Sequence, residues 1–435
     1  MARLGVYVLT FNCARNAVQS DVFASHLFDV LPKSGPQSTD LPEVLVLSLQ
    51  EVAPIAYAFL GGSFLDPYYN ALRRAVDIAS GDERYRSIVT KNAGMTAIMV
   101  FVREDVAEKI ARVETAEVGV GTQDMGNKGA AGARIGYQIN GADEDIIDMT
   151  FVAAHIAPNE WAVERRNQDW KSISQRLVFS KADKSEIIRS RHGENEEDVP
   201  LLQTELAEGG RHDGLYSPVS YLFTAGDFNY RTSSTRPGPK DHIKFPRPTD
   251  DVHSPHHYSR LLENDQLSHE LQQERTLQNF SEAPIRFLPT YKFSLRASRP
   301  VDDSPLGQWT WSKNRWPSWC DRILYRDASS SISTNCQRIE VHGYDALPLF
   351  ETSDHRAVAL SASVPLIPVS APPVFAPPFE IDPDWKRKRA IARRKEIVVG
   401  VAAYLGLTWE GNGLLLATSL GVLGAYLVLQ SFLAG

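Results

Sequence analysis

The chain has 435 residues, of which 43% are hydrophobic, and its formal net charge at neutral pH is −7. That length suits a large α/β enzyme domain with a tail, and the negative charge disfavours a nucleic-acid-binding protein, which would carry a basic excess. Three cysteines without a CxxC pair disfavour a disulfide framework and a zinc site, so we expect the catalytic part to lie in the reducing cytosol.

Short apolar runs rich in β-branched residues predict eight strands, with helical patterns between them at 21–31, 67–79 and 164–180. The predicted strands are 4–11, 44–49, 96–103, 130–137, 147–154, 221–225, 321–326 and 357–363. Several are apolar at consecutive positions, which is typical of strands buried on both faces. The first run lacks the length and cleavage site of a signal peptide. Together these elements predict an α/β sandwich.

Three other segments have the composition of loops or linkers. Residues 182–218 are rich in charge, Gly and Ser, which predicts a mobile surface insertion, and 232–256 predict a long loop. Residues 366–385 are dense in proline, which favours an extended linker that could reach roughly 60 Å. The predicted catalytic domain is therefore 1–365.

The last part of the chain, 396–435, predicts a membrane anchor. Residues 414–434 carry no charge and are long enough to span a bilayer as a helix. Residues 397–408 are too short to span alone and could lie in the interface or form one arm of a hairpin. A buried core helix is disfavoured there, because the proline linker separates the segment from any core. The seven cations of 386–395 predict a cytosolic catalytic domain, and the endoplasmic reticulum is the membrane we expect first.

Polar residues stand at the ends of the predicted strands, where active sites are commonly built. They are Asn12, Glu51, His155, Asp227, Asn229, Asp354 and His355. Each alone is most often a turn former, a cap or an exposed side chain. Together they offer what phosphate-ester hydrolysis needs: oxygen ligands for Mg²⁺, a base for water and imidazoles for a phosphate. A cysteine or serine motif for a covalent intermediate is absent from the sequence.

The segments around these residues are SLQE, GNKGA, AAH, ERRNQDW, GDFNYR, FLPTYKF, WPSWCDRIL and SDH, in this order. Their order resembles the motifs of the inositol polyphosphate 5-phosphatases, which share the fold group of deoxyribonuclease I and the apurinic endonucleases. The resemblance covers about residues 4–363 and implies a two-sheet α/β sandwich of the deoxyribonuclease I-like type. It also implies Mg²⁺-dependent hydrolysis of the 5-phosphate of phosphoinositides such as phosphatidylinositol 4,5-bisphosphate, without a covalent intermediate.

The resemblance assigns the metal and the attacking water to four residues. Glu51 corresponds to the principal magnesium ligand, and Asn12 assists at the same cation. Asp227 corresponds to the residue that orients and deprotonates the water, and Asn229 holds the water or the phosphate.

The remaining assignments concern the substrate. His155 and His355 correspond to the histidines that contact the scissile phosphate, Asp321 to the carboxylate partner of His355, and Asp354 completes the acidic site near the metal. A cluster for the neighbouring 4-phosphate and a further substrate-side motif are also implied. These substrate-binding residues are Asn127, Lys128, Tyr291, Lys292, Lys313 and Arg315.

Two stretches depart from the family pattern. Phe11 and Ala14 stand where the family usually has Trp and a second Asn, which predicts a weaker contact to the metal shell or the scissile phosphate. Residues 156–161 depart where the family prefers acidic residues.

Two other functions stay open at this point. One is a phosphodiesterase of the same fold, either a nuclease or a sphingomyelinase. The negative net charge of the chain disfavours a nucleic-acid substrate. The other is an inactive, membrane-tethered phosphoinositide-binding module, which the complete polar set disfavours. The expected partners are therefore a phosphoinositide lipid and a membrane.

Overall fold

The computed structural model describes residues 2–32, 41–139, 145–181, 213–247, 251–294, 310–328, 338–369 and 374–433. Within these ranges, two six-stranded β-sheets pack face to face and carry helices on their outer faces. The predicted two-sheet α/β sandwich is confirmed.

The first sheet is built from strands at both ends of the domain. Its strands are β1 (Arg3–Asn12), β2 (Val44–Gln50), β3 (Tyr85–Ala93), β4 (Thr96–Arg103), β11 (Glu340–Leu349) and β12 (Arg356–Pro365). Their order is β11-β12-β1-β2-β4-β3. β1 and β2 are parallel, and the other neighbours are antiparallel.

The second sheet comes from the middle of the chain. Its strands are β5 (Ile110–Gly119), β6 (Gly129–Gln138), β7 (Ile146–His155), β8 (Ser180–Lys181), β9 (Ser220–Asp227) and β10 (Asp321–Arg326). Their order is β10-β9-β7-β6-β5-β8. Only β7 and β9 are parallel neighbours in this sheet as described.

Side chains alternate between two apolar layers along the central strands, because successive residues of a strand face opposite sides. On β1, Val6 and Val8 face the second sheet, whereas Tyr7 and Leu9 pack under the outer helices. Those helices are α1 (Ser20–Ala24), α2 (Ile55–Leu60) and α3 (Asp66–Ser80). The predicted helix at 21–31 is therefore too long: from His26 onward, N–H groups bond to carbonyls three residues back and form turns.

The outer face of the second sheet carries a third apolar layer around Trp170. Its helices are α4 (Val163–Arg176) and, after α5 (Ser259–Leu262), α6 (Gln266–Gln272). Leu261 and Leu262 of α5 pack instead against the apolar layer between the two sheets. Residues 182–212 of the predicted insertion lie outside the described residues. The end of that insertion is not on the surface, because Leu215 and Tyr216 are buried in this layer. The described part of 232–256 is a loop with one short 3-10 turn, Asp241–Lys244.

The tail forms two consecutive helices, α7 (Trp385–Leu407) and α8 (Trp409–Leu433), separated by Thr408. The expectation that 397–408 stays apart from any core is wrong, because α7 continues through it and its Gly400 packs against Phe59 and Leu60 of α2. By length and composition alone, α8 is a candidate membrane span, and its side chains are exposed.

Candidate active site

Strand register places three ionisable side chains side by side at one end of the second sheet. β7 and β9 run parallel and end at His155 and Asp227, which are register partners. β10 runs antiparallel to β9 and begins at Asp321, the partner of Asp227. Because neighbouring strands lie only about 4.8 Å apart, these side chains come into contact.

The first sheet supplies further polar groups at the same end. Asn12, the last residue of β1, donates from Nδ2 to Asp227 Oδ2 at 3.0 Å. His355 directly precedes β12, the antiparallel neighbour of β1. The Ser353 hydroxyl donates to the Asn12 carbonyl at 2.6 Å and accepts from the His355 N–H at 3.1 Å. Both sheets thus contribute to one buried polar site.

Asp227 lies at the centre of this site. The side chains of Asp227, Asp321 and His355 are buried and offer oxygen or nitrogen atoms within 4.8 Å of one another. On its other side, Asp227 Oδ2 is 3.2 Å from His155 Nε2. Burial would raise the pKa of Asp227, but the hydrogen bond and charge of His155, with the charges of His355 and Lys128, hold that pKa below its ordinary value. The carboxylate is therefore ionised at neutral pH.

His355 is held in its charged form. Its Nδ1 is 2.9 Å from Asp321 Oδ2, which also accepts from the Thr290 hydroxyl at 2.7 Å. Burial would lower the pKa of His355, but the charge and hydrogen bond of Asp321 raise it to about 9. The pKa of Asp321 is itself raised by burial. The Tyr291 ring packs on the imidazole with a centroid distance of 4.4 Å. At neutral pH this buried imidazolium can donate a proton to an anion.

His155 has the opposite tendency. Burial, reinforced by the nearby Lys128 ammonium, lowers the pKa of His155. Lys128 Nζ contacts His155 Nε2 and lies 3.8 Å from Glu51 Oε1. Burial also lowers the pKa of Lys128, against the charges of Asp227 and Glu51. Lys128, which was predicted to bind the substrate, therefore contacts both Glu51 and His155, the partner of Asp227.

Glu51 and Asn12, the predicted metal ligands, stand at neighbouring strand ends. Glu51 follows Gln50, and Gln50 is the register partner of Asn12. The Glu51 side chain is 27% exposed and faces Arg15 Nε at 3.4 Å as well as Lys128. A partly exposed carboxylate is a suitable ligand for a hard cation such as Mg²⁺, which takes few protein ligands and keeps several waters.

A second group of possible metal ligands is more deeply buried than Glu51. Asp321 Oδ1 is a buried oxygen without a hydrogen-bond partner among the described residues. It belongs to the compact group with Asp227 and His355, whereas the Glu51 carboxylate does not. A His355 proton and an Asn12 amide contact the carboxylates of this group, just as Arg15 and Lys128 face the Glu51 carboxylate.

Asn229 is fixed by contacts on both sides. Its N–H donates to Asp227 Oδ1 at 3.1 Å, and its Nδ2 donates to the Ile156 carbonyl at 3.2 Å. The buried Arg231 donates from Nε to the Asn229 carbonyl at 3.0 Å and from Nη2 to Asn229 Oδ1. The Arg231 guanidinium also lies over the Tyr291 ring, 4.5 Å from its centroid. Arg231 ends the GDFNYR segment, but the sequence predicted no role for it.

The predicted substrate-side cations differ in their surroundings. Lys292 Nζ donates to Asp354 Oδ2, and the charges of His355 and Lys292 hold the pKa of Asp354 below its ordinary value although burial opposes them. Arg315 Nη1 is 3.6 Å from Glu160 Oε1, which is fully buried. Lys313 is exposed. Asp354 thus faces the basic side of the site rather than the carboxylate of Glu51.

Asn127 holds its own loop. Its Oδ1 accepts from the Thr122 N–H at 3.2 Å. Gln123 and Asp124 in the same loop have φ values of 55° and 63°, in the left-handed region, so the loop makes a tight turn. The side chain that the sequence assigned to substrate binding therefore also shapes the turn that presents Lys128.

Phe11 and Ala14, which depart from the family pattern, have different surroundings. Phe11 packs in the outer apolar layer against Phe23 and Phe350, away from the polar site. The Ala14 N–H donates to Asn12 Oδ1 at 3.0 Å, so the backbone of residue 14 contacts the Asn12 amide.

Four further residues support the site although the sequence predicts no role for them. Each has a partner distant in the chain, which for Arg231 is the Tyr291 ring, so the local sequence gave no signal of its role. They are Glu160, Arg231, Thr290 and Ser353.

A family model described as endonuclease/exonuclease/phosphatase family 2 matches residues 9–361, which is most of the chain. The chain belongs to endonuclease/exonuclease/phosphatase family 2. Within this family its relatives include type II inositol polyphosphate 5-phosphatase 15 of Arabidopsis thaliana, 30% identical over 74% of this chain and 29% of that protein. Inositol-1,4,5-trisphosphate 5-phosphatase 1 of Schizosaccharomyces pombe is 27% identical over 74% of this chain and 24% of that protein. The chain therefore spans less than a third of the length of these relatives.

Solved structures of this fold carry different chemistry. The inositol polyphosphate 5-phosphatase domain of SPsynaptojanin, solved with inositol (1,4)-bisphosphate and a calcium ion, has a TM-score of 0.58 and 22% identity over 91% of this chain and 90% of that one. A Cimex nitrophorin in a ferrous NO complex has a TM-score of 0.50 and 16% identity over 84% of this chain and 99% of that one. The fold alone does not determine the chemistry, so function has to be argued from the site.

Proposed function

We propose that this family member is a Mg²⁺-dependent phosphoinositide 5-phosphatase that hydrolyses its substrate with an activated water. The observation that carries the proposal is the ionised Asp227 between two imidazoles, in a site whose Lys128 lies 3.8 Å from the Glu51 carboxylate. Its relatives named as inositol polyphosphate 5-phosphatases support the same reaction.

Asp227 has the properties of a base for the attacking water. It is ionised at neutral pH and its Oδ1 and Oδ2 are oriented by the Asn229 N–H and the Asn12 amide. Protonated His355 donates to the phosphate oxygens, where negative charge develops. Lys128, beside His155, adds a second positive charge on the other side of Asp227. The side chains thus surround an anion with donors and leave one carboxylate to accept a proton.

Glu51 with Asn12 would hold the Mg²⁺ ion. Bound there, the ion supplies positive charge to a phosphate oxygen and polarises the reacting centre. The SPsynaptojanin domain was solved with calcium, which supports a divalent cation in this fold.

Recognition of a phosphate neighbouring the scissile one is assigned to Lys292 and Arg315, with the exposed Lys313 at the rim. In the described structure Lys292 and Arg315 face the carboxylates of Asp354 and Glu160. An incoming phosphate offers a dianion to the same cations, and Arg and Lys suit it as a planar fork and a compact charge.

A lipid substrate fits the candidate span α8. A span that keeps the enzyme at a membrane raises the effective concentration of lipid substrates over soluble ones. The catalytic domain is proposed to face the cytosol, and the endoplasmic reticulum stays a prediction.

The test is phosphate release from phosphatidylinositol 4,5-bisphosphate in mixed micelles by the full chain, with Mg²⁺ and with EDTA. We expect release with Mg²⁺ only. Asp227→Asn should lower kcat by on the order of 10²–10⁴-fold, because the base is lost. The matched control is Asp82→Asn, since Asp82 is exposed in the turn after α3.

Folded wild-type protein that releases no phosphate from the lipid with Mg²⁺ would contradict the proposal. Cleavage of abasic DNA or of sphingomyelin in place of the lipid phosphate would assign the site to a phosphodiesterase instead.

A further inference from the structure

The tail helix α7 is docked on the catalytic domain. Its buried residues are Ala392, Glu396 and Gly400, which recur every four residues and so lie on one face of the helix. At Gly400 an added Cβ would lie 3.0 Å from Phe59 Cβ, so the two helices approach closely. The basic run is therefore not a free cationic tether: Arg389 and Arg393 point toward the domain.

Glu396 is the polar centre of this contact. Its carboxylate is fully buried. Arg389 Nη1 donates to Oε1 at 2.8 Å, and Arg393 Nη1 donates to Oε2 at 3.2 Å. Arg389 also pairs with Glu117 of β5 at 2.8 Å, and Arg393 donates to the Phe59 carbonyl at 2.6 Å. A buried charge paired in this way holds a fixed geometry, because losing one partner is costly.

The same carboxylate contacts the active-site loop. Glu396 Oε1 accepts from the Gly126 N–H at 2.9 Å, in a buried hydrogen bond across 270 residues. Gly126 directly precedes Asn127 and Lys128. The loop thus receives one of its anchors from the tail.

Gly126 is also anchored from the other side. Its carbonyl accepts from the Met95 N–H at 2.8 Å, and the Met95 carbonyl accepts from the Val52 N–H at 3.1 Å, next to Glu51. An added Cβ at Gly126 would lie 2.7 Å from the Gly94 nitrogen, so the backbone of the loop has no room to shift in that direction. Hydrogen bonds therefore link Glu396 through Gly126 and Met95 to Val52. Gly126 lies two residues before Lys128, and Val52 directly follows Glu51.

We propose that Glu396 is a positioning residue: from the tail helix it holds the loop at 121–128, so that Lys128 meets its substrate in the right place only while α7 is docked. This role rests on the proposed phosphatase function. Because a single residue, Thr408, separates α7 from α8, the candidate span and the active-site loop are physically linked.

The test uses the full chain in detergent with a soluble substrate, inositol 1,4,5-trisphosphate, so that membrane binding plays no part. We expect Glu396→Ala to raise KM about tenfold, the effect of losing one hydrogen bond to a charged group, with kcat within about twofold of wild type. Glu396→Gln keeps an oxygen acceptor for the Gly126 N–H, so its KM should be close to that of the wild type. The control on the same helix is Arg394→Gln, because Arg394 is exposed.

Hydrogen exchange gives a readout that does not need activity. Exchange in the 121–128 segment should rise in Glu396→Ala and stay at the wild-type level in Arg394→Gln. If the Ala variant does not fold, Glu396→Asp decides, since it keeps the charge but withdraws the acceptor from Gly126, and it should show the same changes more weakly.

An unchanged KM together with unchanged exchange in the segment would overturn the proposal, as would a fall in kcat at constant KM, which is what simple loss of folded protein produces. If the wild type shows no phosphatase activity at all, the proposed function fails, and the exchange result still decides the role of Glu396.

Discussion

The buried pair of His355 and Asp321 predicts how activity depends on pH. The pKa of His355 is raised from 6.5 to about 9, which corresponds to about 3 kcal/mol in favour of the imidazolium. Asp321→Asn keeps the side-chain volume and removes the charge that causes the rise. Burial, the opposing effect, then lowers the pKa of His355, although the charges of Asp227 and Asp354 still act to raise it.

If protonated His355 binds the phosphate, kcat/KM of the wild type should fall only as pH rises through about 9. In Asp321→Asn the fall should come at a lower pH than in the wild type. A return of the pKa to its ordinary value of 6.5 would make kcat/KM at pH 7.5 about tenfold lower. The free energy of unfolding should also fall as pH rises. The charged imidazole of His355 contributes stability that is complete below about pH 6.5 and lost as pH rises through about 9. The assays are pH–rate profiles with inositol 1,4,5-trisphosphate and denaturant unfolding at several pH values.

The control is a double-mutant comparison. His355→Gln removes the titrating group, so adding Asp321→Asn to it should leave the alkaline side of the profile unchanged. A profile in Asp321→Asn that still falls near pH 9 would refute the assignment, because the group that titrates there would then not depend on Asp321.

Three further predictions concern the sheets and the substrate side. Gly226→Ala should destabilise the domain by about 3 kcal/mol or more in urea unfolding, because the added Cβ would lie 1.9 Å from the Ala154 carbonyl oxygen and separate two paired strands. The control is Gly421→Ala, which should not destabilise the domain because the space around Gly421 is open. Arg322→Met should cost about 3–5 kcal/mol in the same assay, since it leaves the fully buried Asp265 without its partner at 2.8 Å, and an unchanged midpoint would contradict this. Lys292→Gln should raise KM about tenfold for substrates with a 4-phosphate and less for those without it, in a substrate panel; equal effects on both would remove the 4-phosphate assignment.

The sequence determined the central strands, because their apolar, β-branched runs have few other ways to be buried. It did not reveal β3, β5, β8 and β11, in each of which at least half of the positions are partly or fully exposed. β3 and β11 are the edges of the first sheet, and β5 is covered on one side only by the two-residue β8. A strand that is half in contact with water needs no continuous apolar run, so its pattern resembles a loop.

The sequence also determined which polar residues end the central strands, and of these Asn12, His155, Asp227 and His355 do meet. Only the tertiary structure decided how they meet: the register sets Asp227 between His155 and Asp321, and these contacts, not the residue types, set the charge of each group. The role of Glu396 also depends on the tertiary structure, because in the sequence Glu396 is a single acidic residue directly after the basic run 386–395. Its buried bond to Gly126 depends on two segments 270 residues apart, and no local pattern encodes such a contact.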